Sequence, residues 1–279
     1  LQGPRESAMQ RSKSSPASTC TQSPGHVADA MPRHVMEKPS SNASIDERIN
    51  WLQKERKVDF GSHLSSGQKK KLADVLFEYE DVLAAQPDRF GRFTREVAIP
   101  TSGEVKSKPQ FNLPQATMPQ FRKEIEQMLK NEVIEPCLDP KGWNSPVFPV
   151  AKKDGSMRLV VDFKNTLNKT LKAQDPYTFI DLEHIFKRIP PGMEYFSCLD
   201  LKKGYWQLKI QESDRVKTAF TFDGKCYQFQ RLPMGITSSG ALFCRAVGEA
   251  LDSMPRRDNM VNYIDDKLCF GATFESGLQ

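Results

Sequence analysis

Two adjacent carboxylates, Asp265 and Asp266, lie between two short apolar runs, Val261 to Ile264 and Leu268 to Phe270. The runs are β-rich and separated by turn-forming residues, so the spacing predicts a tight β-hairpin with both acids at its tip. Side-by-side acids on a rigid tip repel unless a cation lies between them. Taken alone, the dipeptide reads better as a solvated turn. A third acid, Asp200, closes another apolar run, Tyr195 to Leu199, and changes that balance. Three carboxylates from the ends of two strand elements make a hard, oxygen-rich site suited to Mg²⁺. Phosphoryl transfer from a nucleoside triphosphate needs such a set. Two ions roughly 3.5–4 Å apart neutralise the triphosphate and lower the pKa of the attacking hydroxyl. Basic groups must then hold the outer phosphates, and Lys153 and Arg158, on the two arms of an Asp154-Gly155 hairpin, are the candidates. Without the acids these two would read as a solvated hairpin tip.

Several elements must position these groups. Ser145 to Ala151 and Met157 to Phe163 read as the strands around Asp154-Gly155. A helix is expected from Asp181 to Ile189, stopped by Pro190-Pro191, followed by the strand ending at Asp200. A strand near Trp206 to Ile210 comes next, then a hairpin of Lys217 to Phe222 with Lys225 to Phe229 around Asp223-Gly224. Ala241, Phe243, Ala246, Val247, Ala250, Leu251 and Met254 form the apolar stripe of a long helix, read as core packing. Upstream, Leu72, Leu76, Tyr79 and Leu83 fall at helical spacing behind Ser65-Ser66, and mark a linker helix docking on the elements downstream of it. A Pro-punctuated extended stretch runs from Arg89 to Pro114. A helix with Phe121, Ile125 and Met128/Leu129 on one face then ends before Pro136. Strands and helices mix with hairpins rather than strict βαβ repeats, so the class is α+β.

The chain has 279 residues, 38% hydrophobic and 27% charged, a balance that suits a soluble globular protein with a disordered part. Residues 1–45 are rich in Ser and Pro and hold no aromatic residue, so they are expected to be disordered. No apolar run approaches the roughly 20 residues of a membrane span, and no membrane partner is expected. The chain starts at Leu1 with no signal segment behind it, and reads as a piece of a polyprotein. Six cysteines without CxxC pairing read as reduced, buried residues of an intracellular protein, and four scattered histidines argue against zinc. A formal charge of +5 is compatible with a polyanionic partner.

Five motifs in one order carry a family resemblance. They are Ser145-Pro-Val-Phe-Pro-Val-Ala-Lys-Lys-Asp-Gly155, Phe196-Ser-Cys-Leu-Asp200-Leu-Lys-Lys-Gly-Tyr-Trp-Gln207, Asp214-Arg-Val-Lys-Thr-Ala-Phe220, Tyr227-Gln-Phe-Gln-Arg-Leu-Pro-Met-Gly235 and Tyr263-Ile-Asp-Asp266. Together they resemble the reverse transcriptases of gypsy-type LTR retrotransposons and, more distantly, of retroviruses. The resemblance implies a right-hand polymerase with fingers and palm, the palm a small antiparallel sheet backed by helices. It implies a helical protease–polymerase connector over 46–90 and fingers and palm over 91–279, ending before the thumb. Asp200 and Asp265 would be the chief metal ligands, and Asp266 the third catalytic acid, around two Mg²⁺ ions or Mn²⁺. Lys153 and Arg158 would contact the nucleotide's phosphates, with the register between Lys152 and Lys153 open by one position. Tyr205 would sit under the sugar, and Met234 and Gly235 would line the nucleotide pocket. The implied partners are an RNA or DNA template with its primer, dNTPs, and the protease, RNase H and integrase of the parent Pol polyprotein, in a cytoplasmic particle or the nucleus. The implied activity is RNA-directed DNA polymerisation. A non-catalytic remnant that binds nucleic acid is the competing reading; an unrelated metal-dependent nuclease would not need the other motifs.

Two departures bear on that choice. After Val160-Val161-Asp162-Phe163 the family has Arg, one residue, then Leu-Asn, whereas this chain has Lys164-Asn165-Thr166-Leu167-Asn168, one residue more. An insertion flips every later side chain of a strand unless a bulge absorbs it. Ser239-Gly240 replaces the usual Ser-Pro or Ala-Pro at the start of the long helix, trading a favourable first-turn proline for glycine. Both are expected to disturb template and nucleotide positioning while leaving the metal site intact, and both suit a decaying copy as well as a live one.

Overall fold

Two helices lead the described part of the chain. In the computed structural model the described residues are 36–40, 42–83, 90–151, 155, 157–172, 181–252, 254 and 257–278. Helix α1 (Ile45–Glu55) starts from a capping box: the Ser44 hydroxyl accepts from the Glu47 amide, and the Glu47 carboxylate accepts from the Ser44 amide. Helix α2 (Ser66–Glu78) repeats the device with Ser65 and Gln68. The pair is joined by Trp51 edge-on to Phe77 at 5.8 Å and by Arg48–Asp74 at 3.0 Å. Glu80, just past α2, collects Arg56 at 2.6 Å and Lys38 at 2.7 Å. Only 36–40 and 42–45 of the segment expected to be disordered are described, and there Lys38 and Ser44 make these bonds. Lys38–Gln279 form one compact unit; of the other, Leu1–Glu37, only Met36 and Glu37 are described.

The next stretch alternates short strands with helices. Strand β1 (Glu96–Val97) is followed by α3 (Met118–Lys130), which buries Met118, Phe121, Ile125 and Met128 on one face, as the spacing predicts. Helix α3 stops at Asn131 and at Glu132, whose φ of 54° no helix continues. Then come β2 (Ile134–Pro136), β3 (Val147–Ala151) and β4 (Met157–Val161). The short helix α4 (Leu182–Phe186) precedes β5 (Tyr195–Asp200), β6 (Lys209–Ile210) and the single-turn α5 (Glu212–Arg215). Strands β7 (Phe220–Phe222) and β8 (Lys225–Phe229) lead into α6 (Ser239–Asp252), and β9 (Met260–Tyr263), β10 (Asp266–Gly271) and α7 (Phe274–Leu278) complete the order.

These strands make four small sheets: antiparallel β5-β10-β9, antiparallel β2-β8-β7, the β3-β4 ribbon and the parallel pair β1-β6. The architecture is α+β. The β7–β8 turn has positive φ at both Asp223 (50°) and Gly224 (73°), the conformation for which Asp-Gly is selected. Lys217 is not in that hairpin: it belongs to a 3₁₀ turn, Val216–Thr218. Its ammonium bridges the Asp214 carboxylate at 2.6 Å and the Ile99 carbonyl at 2.8 Å, while Asp214 accepts from the Ile99 amide at 2.6 Å. The Asp214–Lys217 motif therefore fastens the strap after β1 onto α5. The strand expected over Trp206 to Ile210 shrinks to β6, because Gly204–Gln207 winds into a 3₁₀ turn.

The largest core joins the α3 face to Phe163, Leu167, Phe220 and Phe229. A second sets Phe243, Ala246 and Val247 of α6 on Val97, Leu208 and Leu232, and a third gathers Ile185, Val261 and Phe270. The expected α6 stripe holds only in part. Ala250, on the outer face of the last turn, and Met254, beyond the helix end, are exposed, while Leu251 still packs on the core. Cys198 is likewise exposed, on β5, while Cys137 and Cys244 are buried and Cys226 and Cys269 half-buried.

Candidate active site

Strand β10 pairs with β9 so that Asp266 faces Tyr263, which leaves only Ile264 and Asp265 in the turn. The hairpin tip is therefore Ile264-Asp265, and Asp266 is the first residue of β10, a correction of one position to the expected Asp-Asp tip. Ile264 has φ of 55°, a costly conformation for a β-branched side chain. Three contacts hold it there. The Lys267 ammonium donates to the Ile264 carbonyl at 3.3 Å, the Leu201 amide donates to the Asp265 carbonyl at 3.0 Å, and the Ile264 side chain packs on the Phe243–Val247 core. On its other edge β10 pairs with β5, placing Asp200 opposite Asp266.

Three carboxylates thus meet at one end of one sheet. Loss of solvent first, then the charges of Asp265 and Asp266, push the Asp200 carboxyl above its ordinary value of 3.8. Carboxylate oxygens suit a hard divalent cation. Among the described residues, however, no three His, Cys, Asp or Glu side chains already converge as an ion cage. The backbone register brings the three donors to the same end of the sheet.

Tyr205 stands beside this end of the sheet. The backbone reversal before it occurs at Lys203, φ 52°. Gly204 is needed for space: a Cβ there would lie 2.7 Å from Phe243 Cζ. The Tyr205 ring packs on Phe243 at 5.1 Å between centroids, and burial, Cys244 and Asp265 all push its phenol pKa up. Core packing and nearness to Asp265 hold together at this residue.

Met234 is 55% exposed, and Gly235 turns the chain with φ of 95°. Behind Gly235 lie the Phe163 ring and the Val161 carbonyl, each 3.6 Å from where a Cβ would stand. Arg158 is exposed on β4, opposite Val150, on a different sheet from the acids. Lys153 lies outside the described residues. The extra residue of 164–168 falls after β4 has ended, in turns around Thr166 and a 3₁₀ helix at Leu167–Lys169, so no strand face is flipped. Thr166 is buried there, its hydroxyl 2.6 Å from that of Ser145. Nor does glycine prevent α6 from starting at Ser239, whose hydroxyl donates to the Pro233 carbonyl at 2.7 Å.

Comparison with known proteins decides the family. Residues 150–279 match the family described as reverse transcriptase (RNA-dependent DNA polymerase). The retrovirus-related Pol polyprotein of the transposon gypsy from Drosophila melanogaster is 35% identical over 153 residues, which are 53% of this chain and 14% of that one. Residues 150–279 belong to the reverse transcriptase family. A crystal structure of prototype foamy virus protease-reverse transcriptase superposes with a TM-score of 0.69 at 26% identity, covering 84% of this chain and 30% of that one. A foamy viral protease-reverse transcriptase in complex with RNA/DNA hybrid shares the fold with a TM-score of 0.66 at 23% identity, over 85% and 31% of the two chains. The chain spans about a seventh of the gypsy polyprotein. The likeness to the foamy viral enzymes is a likeness of fold, small antiparallel sheets with helices.

Three side chains of this reverse transcriptase segment were not singled out from sequence. Asn168 links the end of the ribbon to the Gly235–Thr237 loop; its place in the Leu-Asn motif was the available signal. Arg231, 1% exposed, donates to the carbonyls of Trp206 (3.2 Å) and Gln207 (3.5 Å) and lies over the Phe90 ring, steadying the turn that carries Tyr205. Lys267 is the third, a charged residue inside an apolar strand.

Proposed function

We propose that the chain is the fingers and palm of an RNA-directed DNA polymerase, extending a primer 3′-hydroxyl with dNTPs on an RNA or DNA template. The observation that carries this reading is the register of Asp200 opposite Asp266, with Asp265 in the adjoining turn. In it Asp200 and Asp265 hold two Mg²⁺ ions, or Mn²⁺, and Asp266 completes the acidic set. When bound, the ions supply charge neutralisation for the triphosphate and a lowered pKa for the attacking hydroxyl. Tyr205, rigid on Phe243, bounds the sugar. Met234 and Gly235 form the pocket floor, positioned by Asn168, and Arg158 with Lys153 meets the phosphates. Residues 46–90 serve as connector to an upstream protease, with RNase H and integrase in the same polyprotein. The foamy viral relative's complex with RNA/DNA hybrid supports the choice of template. Among the described residues no helix is long and apolar enough to cross a membrane.

Two departures that suited the remnant reading carry less weight, because the extra residue and Gly240 are both absorbed without displacing a strand or delaying a helix. The test is single-nucleotide incorporation by the chain within its polyprotein. Asp200→Asn or Asp265→Asn should abolish incorporation while circular dichroism stays unchanged. Undiminished incorporation by either variant would overturn the assignment.

A further inference from the structure

Lys267 is the most unusual charged residue of the palm. It is 6% exposed, in a strand whose neighbours Leu268, Cys269 and Phe270 are apolar. Lysine is almost never buried so fully without a partner, because an ammonium taken out of water loses its hydration. Its register places it beside Asp266 and across from Leu199, one position from Asp200. Burial holds its ammonium pKa below the ordinary 10.5, although Asp265, Asp266, Cys244 of α6 and Asp200 are all near enough to favour the charge. Its Nζ is hydrogen-bonded to none of those acids but to the Ile264 carbonyl, inside the turn that presents Asp265. The ammonium is bonded to the backbone of the turn, and Asp200 and Asp266 stay exposed to solvent.

We propose that Lys267 is a built-in counter-ion of the acidic cluster, a positioning residue that holds the strained turn and weakens the affinity of the free site for divalent cations. The inference rests on the polymerase reading and adds how the site is loaded. A fixed positive charge behind the acids opposes a free divalent ion, and opposes far less an ion already neutralised by a triphosphate. The palm would therefore acquire its metal mainly as a metal–nucleotide complex, and remain largely metal-free between nucleotides.

The experiment measures Mn²⁺ binding to the 279-residue chain by electron paramagnetic resonance, and Mg²⁺ binding by calorimetry, both without nucleotide. The unaltered chain should bind weakly. Lys267→Met should bind at least about tenfold more tightly, because a nearby positive charge no longer opposes the ion. Lys267→Arg, which keeps the charge, should bind as the unaltered chain does. Equal or weaker binding by a folded Lys267→Met chain would overturn the proposal. If Lys267→Met alone does not fold, the double variant Lys267→Met/Asp266→Asn should, since one charge of each sign is removed; a double variant that stays unfolded also overturns it. Asp265→Asn separates the two readings. If that change leaves ion binding untouched in the unaltered background, the metal site itself is wrong, whatever Lys267 does.

Discussion

Asn168 holds the loop at Gly235 with both ends of one carboxamide: its Nδ2 donates to the Gly235 carbonyl at 2.9 Å, and its Oδ1 accepts from the Thr237 amide at 3.0 Å. One side chain thereby joins the end of the β3-β4 ribbon to the loop between β8 and α6. Neither bond is deeply buried, so their combined worth is modest, about 1–2 kcal/mol. Asn168→Ala should lower stability by about that amount and raise KM for the nucleotide more than it lowers kcat. Chemical denaturation with steady-state incorporation checks both, and an unchanged KM would remove Asn168 from the pocket.

Gly204→Ala should be costly for steric reasons alone. The new methyl would stand 2.7 Å from Phe243 Cζ, in the packed face of α6. Overpacking of this kind costs about 1–3 kcal/mol. Phe243→Leu shortens the opposing side chain, so the double variant should recover part of the loss. Thermal melting of the two single variants and the double tests the coupling; strictly additive losses would show that the contact is not the cause.

Tyr205 is both a packed ring and a neighbour of Asp265, so its truncation should show in two readouts. Tyr205→Val should lower stability by about 1–3 kcal/mol through lost burial and the lost ring pair. It should also admit ribonucleotides more readily, with dNTP use falling less. Tyr205→Phe keeps the ring and should preserve both properties. Insertion kinetics with each sugar decide, and an unaltered sugar preference in Tyr205→Val would leave the residue purely structural.

Glu80 gives the helix pair a pH dependence. The hydrogen bonds from Lys38 and then Arg56 hold its carboxyl below the ordinary value of 4.5. A group depressed in the folded state contributes stability above its unfolded pKa and loses it as pH falls through the folded one. The contribution should thus be complete at neutral pH and vanish in the window below 4.5. With both partners partly solvated, about 1 kcal/mol is expected. Glu80→Gln should melt earlier than the unaltered chain at neutral pH and converge with it in acid. A gap that persists in acid would show that packing, not charge, is responsible.

The readable parts of this sequence were those where one residue type answers one local need. Asp223-Gly224 announced its turn because both positions take positive φ, and the spacing of Phe121, Ile125 and Met128 announced α3. The acids were legible because each lies beside an end of an apolar strand run. Ile264 was not, since a β-branched residue argues against the left-handed conformation that tertiary contacts impose on it. Lys267 was hidden for the opposite reason, a charge being read as solvent-facing until the burial of β10 is known. Helix α1 had its signal in Ser44 and Glu47, but its burial is confined to Trp51 and Leu52, too little apolar periodicity to stand out.

The turn between Phe163 and Leu167 has an evolutionary consequence. Strand β4 ends before it and Asn168 is fastened after it, so the number of residues in between is free of register. Asn165 is exposed there, whereas Thr166 is locked to Ser145. Lineages of this element should therefore drift in length at this one place while their strands keep theirs, and the gene should tolerate gain or loss of a codon at Asn165 where the same change two codons into β4 would be purged.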